Sequence, residues 1–179
     1  MQAASVDSMQ TISVIEADLT HPEHQRDLLA MMDAYVADPM EEGAPLPQQI
    51  RDTLIPELRQ HPACYAFLAY QDGQAIGFSL CFLGFSSFEA RPLLNIHDIG
   101  VLPGERGRGV GLQMLQAIEA KARELRCCRL TLEVRQDNDR ARGLYRKFGF
   151  DQRTVGSDHV PMDFWWKPLQ PGVLPKVMD

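Results

Sequence analysis

A glycine-rich basic loop between a strand pattern and a helix pattern constrains the fold more than any other feature. It lies in the run 96–111, Ile-His-Asp-Ile-Gly-Val-Leu-Pro-Gly-Glu-Arg-Gly-Arg-Gly-Val-Gly, where the β-prone part ends at Leu102 and Pro103-Gly104 turns the chain. The first backbone N–H groups of a helix lack intrahelical partners and lie at the positive end of its dipole, so they favour a bound phosphate. The run therefore predicts an anion site at a strand-to-helix junction.

Two familiar phosphate loops are excluded by the residues at their required positions. Gly104 and Gly109 have the spacing of a P-loop, but Val110 and Gly111 stand where that motif requires Lys and then Ser or Thr. A dinucleotide-binding fingerprint requires Gly-x-Gly-x-x-Gly, and Leu112 occupies the place of its last glycine. The loop therefore belongs to neither class.

Composition narrows the classes of protein that remain. A chain of 179 residues that is 45% hydrophobic and 23% charged is expected to form one soluble domain. No apolar run reaches the roughly 18 residues of a membrane helix, and the first ten residues lack signal-peptide order, so we expect a cytoplasmic protein without a membrane partner. The net charge of −6 argues against a nucleic-acid partner.

The four cysteines indicate reduced, mostly buried thiols. Cys64, Cys81 and the adjacent Cys127 and Cys128 match neither metal-binding spacing nor a disulfide framework. We therefore expect no bound metal.

Hydrophobic periodicity and turn residues predict an α/β fold. The predicted strands are 11–16, 65–70, 75–85, 92–102, one that contains Leu130, Leu132 and Val134, and a closing strand at 163–167. The predicted helices are 22–37, 47–60, one that follows the glycine loop, and one that is capped at Asp137-Asn138 and ends at Gly149. Residues 1–10 are expected to form a flexible lead, 11–167 a single domain and 168–179 a proline-rich tail.

Three positions carry specific local expectations. Asp72-Gly73 predicts an antiparallel hairpin between the second and third strands. Pro56 is expected to kink or split its helix, whose apolar side carries Ile50, Leu54 and Leu58. Gly100 indicates either a β-bulge or backbone left open to a ligand.

Two motifs in register resemble one known family. Arg106-x-x-Gly109-x-Gly111 at this junction resembles the acyl-CoA pyrophosphate loop of the GNAT superfamily of N-acetyltransferases. The run 138–150, Asn-Asp-Arg-Ala-Arg-Gly-Leu-Tyr-Arg-Lys-Phe-Gly-Phe, resembles the closing motif of the same family. The resemblance covers 95–150 most sharply and implies a mixed, mostly antiparallel central sheet flanked by helices.

The resemblance also implies an activity. A GNAT enzyme moves the acetyl group of acetyl-CoA to a primary amine by direct attack in a ternary complex. Residues 77–88 are most similar to the diamine and thialysine acetyltransferase branch, which implies a polyamine or lysine-like acceptor and, by analogy, a homodimer. The acidic residues Asp38, Glu41 and Glu42 would favour such a cationic acceptor, or else form an ordinary solvated loop. A protein or peptide N-acetyltransferase and a non-catalytic acyl-CoA sensor remain alternatives.

Catalysis by such an enzyme requires a base, because a lysine-like amine has a pKa near ~10.4 and is protonated at neutral pH. His97 is the only well-placed histidine, because it lies on the strand beside the implied cofactor, and its reference pKa of about 6.5 suits proton acceptance near pH 7. The diamine branch commonly has Glu at this position, so Asp98 and Glu133, acting through a water, are alternatives. A purely structural strand residue would also explain His97.

Tyr145 and the neighbouring motif residues have implied roles toward the cofactor. The resemblance implies that the Tyr145 hydroxyl protonates the departing CoA thiolate, although its position beside Ala141 and Phe148 also fits simple packing. A backbone N–H at Ile99 or Val101 would stabilise the oxyanion. The resemblance implies further cofactor contacts. Gly100 would contact the cofactor from the strand, Asn138 would hold the pantetheine arm or the loop, and the pyrophosphate would be bound by Arg106, Gly107, Arg108, Gly109, Val110 and Gly111. Arg140, Arg142 and Arg146 would contact the nucleotide phosphate, or else are surface charges.

Overall fold

The structure is a computed structural model that describes residues 11–38 and 43–151. The predicted elements within these ranges lie within two residues of their expected ends, whereas the lead, the closing strand and the tail lie outside the described residues. The elements are β1 (Ser13–Glu16), α1 (Pro22–Val36), α2 (Gln48–Gln60), β2 (Cys64–Gln71), β3 (Gln74–Ser86), β4 (Arg91–Val101), a 3₁₀ turn (Pro103–Glu105), α3 (Val110–Glu124), β5 (Leu130–Leu132) and α4 (Asp139–Phe148).

The five strands form one sheet in the order β1-β2-β3-β4-β5. Neighbouring strands are antiparallel except β4 and β5, which are parallel, so the predicted mixed, mostly antiparallel sheet is confirmed. The β2–β3 hairpin turns at Asp72 and Gly73, whose φ values of 51° and 78° are both left-handed. This geometry is that of a type I′ turn, which favours Asp-Gly because glycine adopts positive φ without steric cost.

Helices cover both faces of the sheet. On one face, α1 and α2 bury a cluster with the sheet that includes Leu28, Met31, Ile55, Leu58, Leu68, Phe78 and Leu80. On the other face, α3 and α4 bury a cluster that includes Leu94, Ile96, Leu115, Ile118 and Tyr145. The two faces therefore offer different surroundings to side chains that alternate along a strand.

Helix α2 continues through Pro56 without a break, so of the two expected effects, a kink or a split, the split does not occur. Proline costs the helix one hydrogen bond, but Ile55 and Leu58 on either side of it are buried against the core. The buried side is also rotated from the predicted one, because Ile50 is 37% exposed.

Strand β4 bulges at His97 and not at Gly100. In the β3–β4 ladder Asp98 lies opposite Leu80 and Ile96 lies opposite Cys81, which leaves His97 as the extra residue. Gly100 sits in regular register opposite Phe78. A Cβ at Gly100 would lie 2.8 Å from Phe78 Cε1, so this glycine is required by close packing.

Candidate active site

The bulge places His97 and Asp98 on the same face of the sheet. Directly opposite residues of an antiparallel pair share a face, and Leu80 opposite Asp98 belongs to the α1–α2 cluster. The His97 ring lies edge-on to Phe82, which packs against the same cluster, with 5.4 Å between ring centroids. Two consecutive side chains therefore face α1 and α2, which a regular strand does not allow.

Strand β4 loses its second neighbour at the bulge. β5 pairs only with Leu94–Ile96, so the far edge of β4 beyond Ile96 has no strand partner among the described residues. Leu102 N donates to Ile76 O on the β3 side. Because hydrogen bonding alternates along an antiparallel strand, the N–H groups of Ile99 and Val101 point to the open edge. The backbone groups that are open to a ligand near Gly100 are therefore the N–H groups of its two neighbours, Ile99 and Val101.

The N-terminus of α3 follows this open edge and has no side-chain cap. Its N-cap is Gly109 at φ 87°, the first turn carries no acidic residue, and the first helical hydrogen bond runs from Gln113 N to Gly109 O. The N–H groups of Val110, Gly111 and Leu112 precede that bond. These groups and the dipole of a 15-residue helix are the features that bind phosphate.

The loop glycines serve two different purposes. Gly107 and Gly109 have φ of 82° and 87°, and a Cβ built on either would meet no atom within 4 Å. They therefore permit the left-handed backbone and leave open space above the loop. Gly111 differs, because its Cβ would lie 3.0 Å from Leu144 Cδ2 on α4. A side chain at position 111 would require Leu144 to shift by a few tenths of an ångström, so Gly111 also eases the packing of α3 against α4.

Both loop arginines are paired with carboxylates. Arg106 forms an ion pair with Asp38 at the end of α1, and its Nε donates to Val101 O at 2.9 Å. Arg108 pairs with Glu105 in the same loop. The positive potential of this site therefore comes largely from backbone N–H groups, with the arginine charges partly compensated. Asp38, expected to attract a cationic acceptor, instead fastens α1 to the loop.

Tyr145 lies in the buried cluster between α4, α3 and the sheet. It is 9% exposed, and its ring lies edge-on to Phe150 with 5.7 Å between centroids. Leu94 and Ile96, two of the three β4 residues that pair with β5, belong to the same cluster. Tyr145 therefore packs at the point where β4 and β5 meet, which is compatible with its predicted role as an acid.

The three candidate bases differ in their surroundings. His97 is exposed, and Glu133 is exposed immediately after the last residue of β5. Asp98 is half-buried, and burial raises the pKa of its carboxyl, an effect that the nearby His97 partly offsets. A carboxylate with a raised pKa is a stronger base, so the structure improves the case for Asp98.

The N-terminus of α4 is closed by its own side chain. Asn138 Oδ1 accepts a hydrogen bond from Ala141 N at 3.1 Å, which confirms the predicted cap. Gly149 ends the helix at φ 101°, also as predicted. Arg140 is exposed, and the Arg142 guanidinium donates to Gln136 O.

An open pocket of about 350 Å³ lies between α2 and β3, on the face that holds His97 and Asp98. Its lining consists of Leu54, Glu57, Leu58, His61 and Phe82. None of these residues lies in a motif that predicts a functional role. The only local signal is that Leu54 and Leu58 are four residues apart on α2, as are Glu57 and the C-cap residue His61.

Within residues 11–38 and 43–151, no three His, Cys, Asp or Glu side chains come together as a metal site. In the same part of the chain, no helix has the length and apolarity needed to span a membrane.

Comparison with known proteins agrees with this geometry. The profile of the acetyltransferase (GNAT) family matches residues 28–150, more than two thirds of the chain. Relatives include an uncharacterized N-acetyltransferase of Bacillus subtilis, 31% identical over 49% of this chain and 58% of the relative. A putative [ribosomal protein bS18]-alanine N-acetyltransferase of the same organism is 30% identical over 55% and 62%. A thialysine N-epsilon-acetyltransferase of Bos taurus is 30% identical over 44% and 46%.

The aligned region spans less than two thirds of each of these relatives. Solved structures match more of the chain. A probable acetyltransferase superposes with a TM-score of 0.70 at 24% identity and covers 86% of this chain and 99% of its own. An aminoglycoside N-acetyltransferase in complex with CoA superposes with a TM-score of 0.70 at 20% identity, over 90% and 98%. These likenesses show the fold.

Proposed function

Because this chain belongs to the GNAT family of acetyltransferases, we propose that it moves the acetyl group of acetyl-CoA to the primary amine of a small cationic acceptor. The observation that carries the proposal is the uncapped N-terminus of α3 beside the open edge of β4. The N–H groups that can bind phosphate, at the start of α3, thereby lie near the free N–H groups of the strand, as binding of a phosphorylated thioester requires.

The loop residues fit the diphosphate of CoA. The N–H groups of Val110 to Leu112 and the open space over Gly107 and Gly109 suit a phosphate that approaches the backbone closely. Acetyl-CoA, when bound, supplies the activated acyl group as a thioester. A protein of the same fold solved with CoA supports this use of the cofactor.

The open edge of β4 would stabilise the charge that develops during transfer. The N–H groups of Ile99 and Val101 point away from β3, and hydrogen-bond donors fixed in a strand cost no reorganisation when an oxyanion forms. We assign this role to either of the two.

The reaction requires two proton-transfer groups, a base that deprotonates the acceptor amine and an acid that protonates the departing thiolate. Asp98 or His97 at the bulge removes a proton from the ammonium of the acceptor, with Glu133 as the alternative. Tyr145 donates a proton to the departing thiolate, which makes the thiol a better leaving group. Attack is direct, in a ternary complex, so no residue forms a covalent intermediate.

A peptide acceptor is the second candidate. It is favoured by the likeness to a putative alanine N-acetyltransferase, which is named as acting on a ribosomal protein. The likeness to a thialysine N-acetyltransferase favours a small amine instead. We further propose that residues 11–167 form one catalytic domain that acts in the cytoplasm.

Release of free thiol tests the proposal directly. The full chain is incubated with acetyl-CoA and, separately, with diamines, lysine and short peptides, and CoA thiol is measured. Thiol release with small amines supports the proposal, and release with peptides alone favours the second candidate. Binding of acetyl-CoA in calorimetry without thiol release from any acceptor would instead indicate a sensor module.

A further inference from the structure

We infer that the pocket between α2 and β3 holds the non-reacting end of the acceptor, and that Glu57 selects acceptors that carry a second positive charge. The inference rests on the proposed function, since it assigns the pocket to the acceptor of that reaction. It commits to one occupant, a linear alkyl chain that bears an ammonium group at each end.

The pocket adjoins the proposed catalytic groups through a shared wall. The Phe82 ring makes T-shaped contacts with His61, at 5.1 Å between centroids, and with His97, at 5.4 Å. His61 and Phe82 line the pocket, whereas His97 belongs to the bulge with Asp98. A molecule in the pocket therefore lies next to the residues that take the proton from the reacting amine.

The lining matches an alkyl chain that ends in a cation. Leu54, Leu58 and Phe82 offer apolar surface along which methylene groups can lie. The face of Phe82 also attracts a cation electrostatically. A volume of about 350 Å³ falls within the range of small-molecule sites, roughly 300–1,000 Å³.

Glu57 supplies the charge that makes the pocket selective. Its carboxylate is exposed at the pocket and forms no salt bridge with any residue of 11–38 or 43–151. Asp38, by contrast, is paired with Arg106. Unlike Asp38, Glu57 therefore carries a charge that a ligand can neutralise without displacing an ion-pair partner among the described residues.

A pair of amines of equal length tests this selection. The enzyme is assayed with 1,5-diaminopentane and with pentylamine, which differ only in the second ammonium. Glu57→Gln keeps the shape of the side chain and removes its charge. We expect kcat/KM for the diamine to fall about fivefold through a higher KM, because one exposed ion pair is lost, while pentylamine is unaffected.

Asp52→Asn is the matched control. Asp52 is an exposed acid on the same helix, paired with Gln48 at 2.7 Å, and it does not line the pocket. The diamine preference should survive this change. Equal losses in the two variants, or an equal effect of Glu57→Gln on both amines, would overturn the inference, because the effect would then be one of overall charge.

The pocket can also be tested if the protein shows no acetyltransferase activity. If no amine releases thiol, 1,5-diaminopentane is titrated calorimetrically into the CoA-saturated protein and its Glu57→Gln variant. Binding that the substitution weakens would support the pocket independently of catalysis. Equal binding in both proteins, or none in either, would overturn it.

Discussion

The two helices on one face of the sheet begin in opposite ways. Helix α4 starts at Asn138, whose side chain accepts the Ala141 N–H, and it carries Asp139 in its first turn. Helix α3 starts at Gly109, which has no side chain to offer, and its first turn contains no acid. Both helix N-termini have N–H groups without helical partners, and of the two only α4 pairs one of them with its own N-cap side chain.

The difference shows how the two helices can share one function. Helix α4 satisfies its own terminus, and its proposed contribution is a side chain of its buried face, Tyr145. Helix α3 contributes its backbone terminus and forgoes a cap that is typically worth about 1 kcal/mol. Burial of Val110, Met114, Leu115, Ile118 and Ala122 along its other face compensates for that loss.

The largest expected effect concerns the side chain that α4 contributes. Tyr145→Phe should lower kcat by about 10²- to 10⁴-fold, as expected for loss of a general acid, with little change in the affinity for acetyl-CoA. Steady-state kinetics and calorimetry measure the two quantities. The phenyl ring can still pack edge-on against Phe150, so this ring contact should be retained in the variant. An unchanged kcat would reduce Tyr145 to a packing residue.

An acidic residue at the start of α3 should make its N-terminus resemble that of α4, with a side-chain cap and a negative charge. Gly109→Asp should weaken acetyl-CoA binding about 100-fold, because a carboxylate would stand where the diphosphate is proposed to bind. Gly109→Ala is the control, since it shares the strain of the left-handed backbone at φ 87° without the charge. Calorimetric affinities that fall equally in both variants would exclude the electrostatic explanation.

Removing the cap of α4 should affect stability before it affects binding. Asn138→Ala should lower the free energy of unfolding by about 1 kcal/mol, whereas Asn138→Ser, which can still cap, should lower it less. Denaturant titration measures both changes. If Asn138→Ser nevertheless weakens acetyl-CoA binding, the amide also contacts the cofactor, as the sequence analysis had left open.

The smallest expected effect is the loss of acetyl-CoA affinity when one arginine is replaced, in the α3 loop or on α4. Arg106→Ala in the α3 loop should weaken acetyl-CoA binding about two- to fivefold, and more at low ionic strength, because its charge is already shared with Asp38. Arg140→Ala on α4 should change the affinity less if Arg140 is surface charge. Calorimetry at two salt concentrations tests the order, and a larger loss at Arg140 would reverse it.

The sequence by itself determined the features that depend on near neighbours. The Asp72-Gly73 turn, the Asn138 cap and the Gly149 stop each follow from residues within a few positions of one another. Backbone sterics and local hydrogen bonds act over that range, so residue type and spacing were sufficient to predict them. The motifs of the loop and of α4 were likewise sufficient for the family.

Only the tertiary structure decided which of these elements meet. The bulge at His97 depends on the register with β3, the pairing of Arg106 depends on the end of α1, and the pocket at Glu57 exists because α2 lies over Phe82. Arg106 and Asp38 are 68 positions apart. Packing of the whole sheet against its helices sets such contacts, and no local periodicity carries that information.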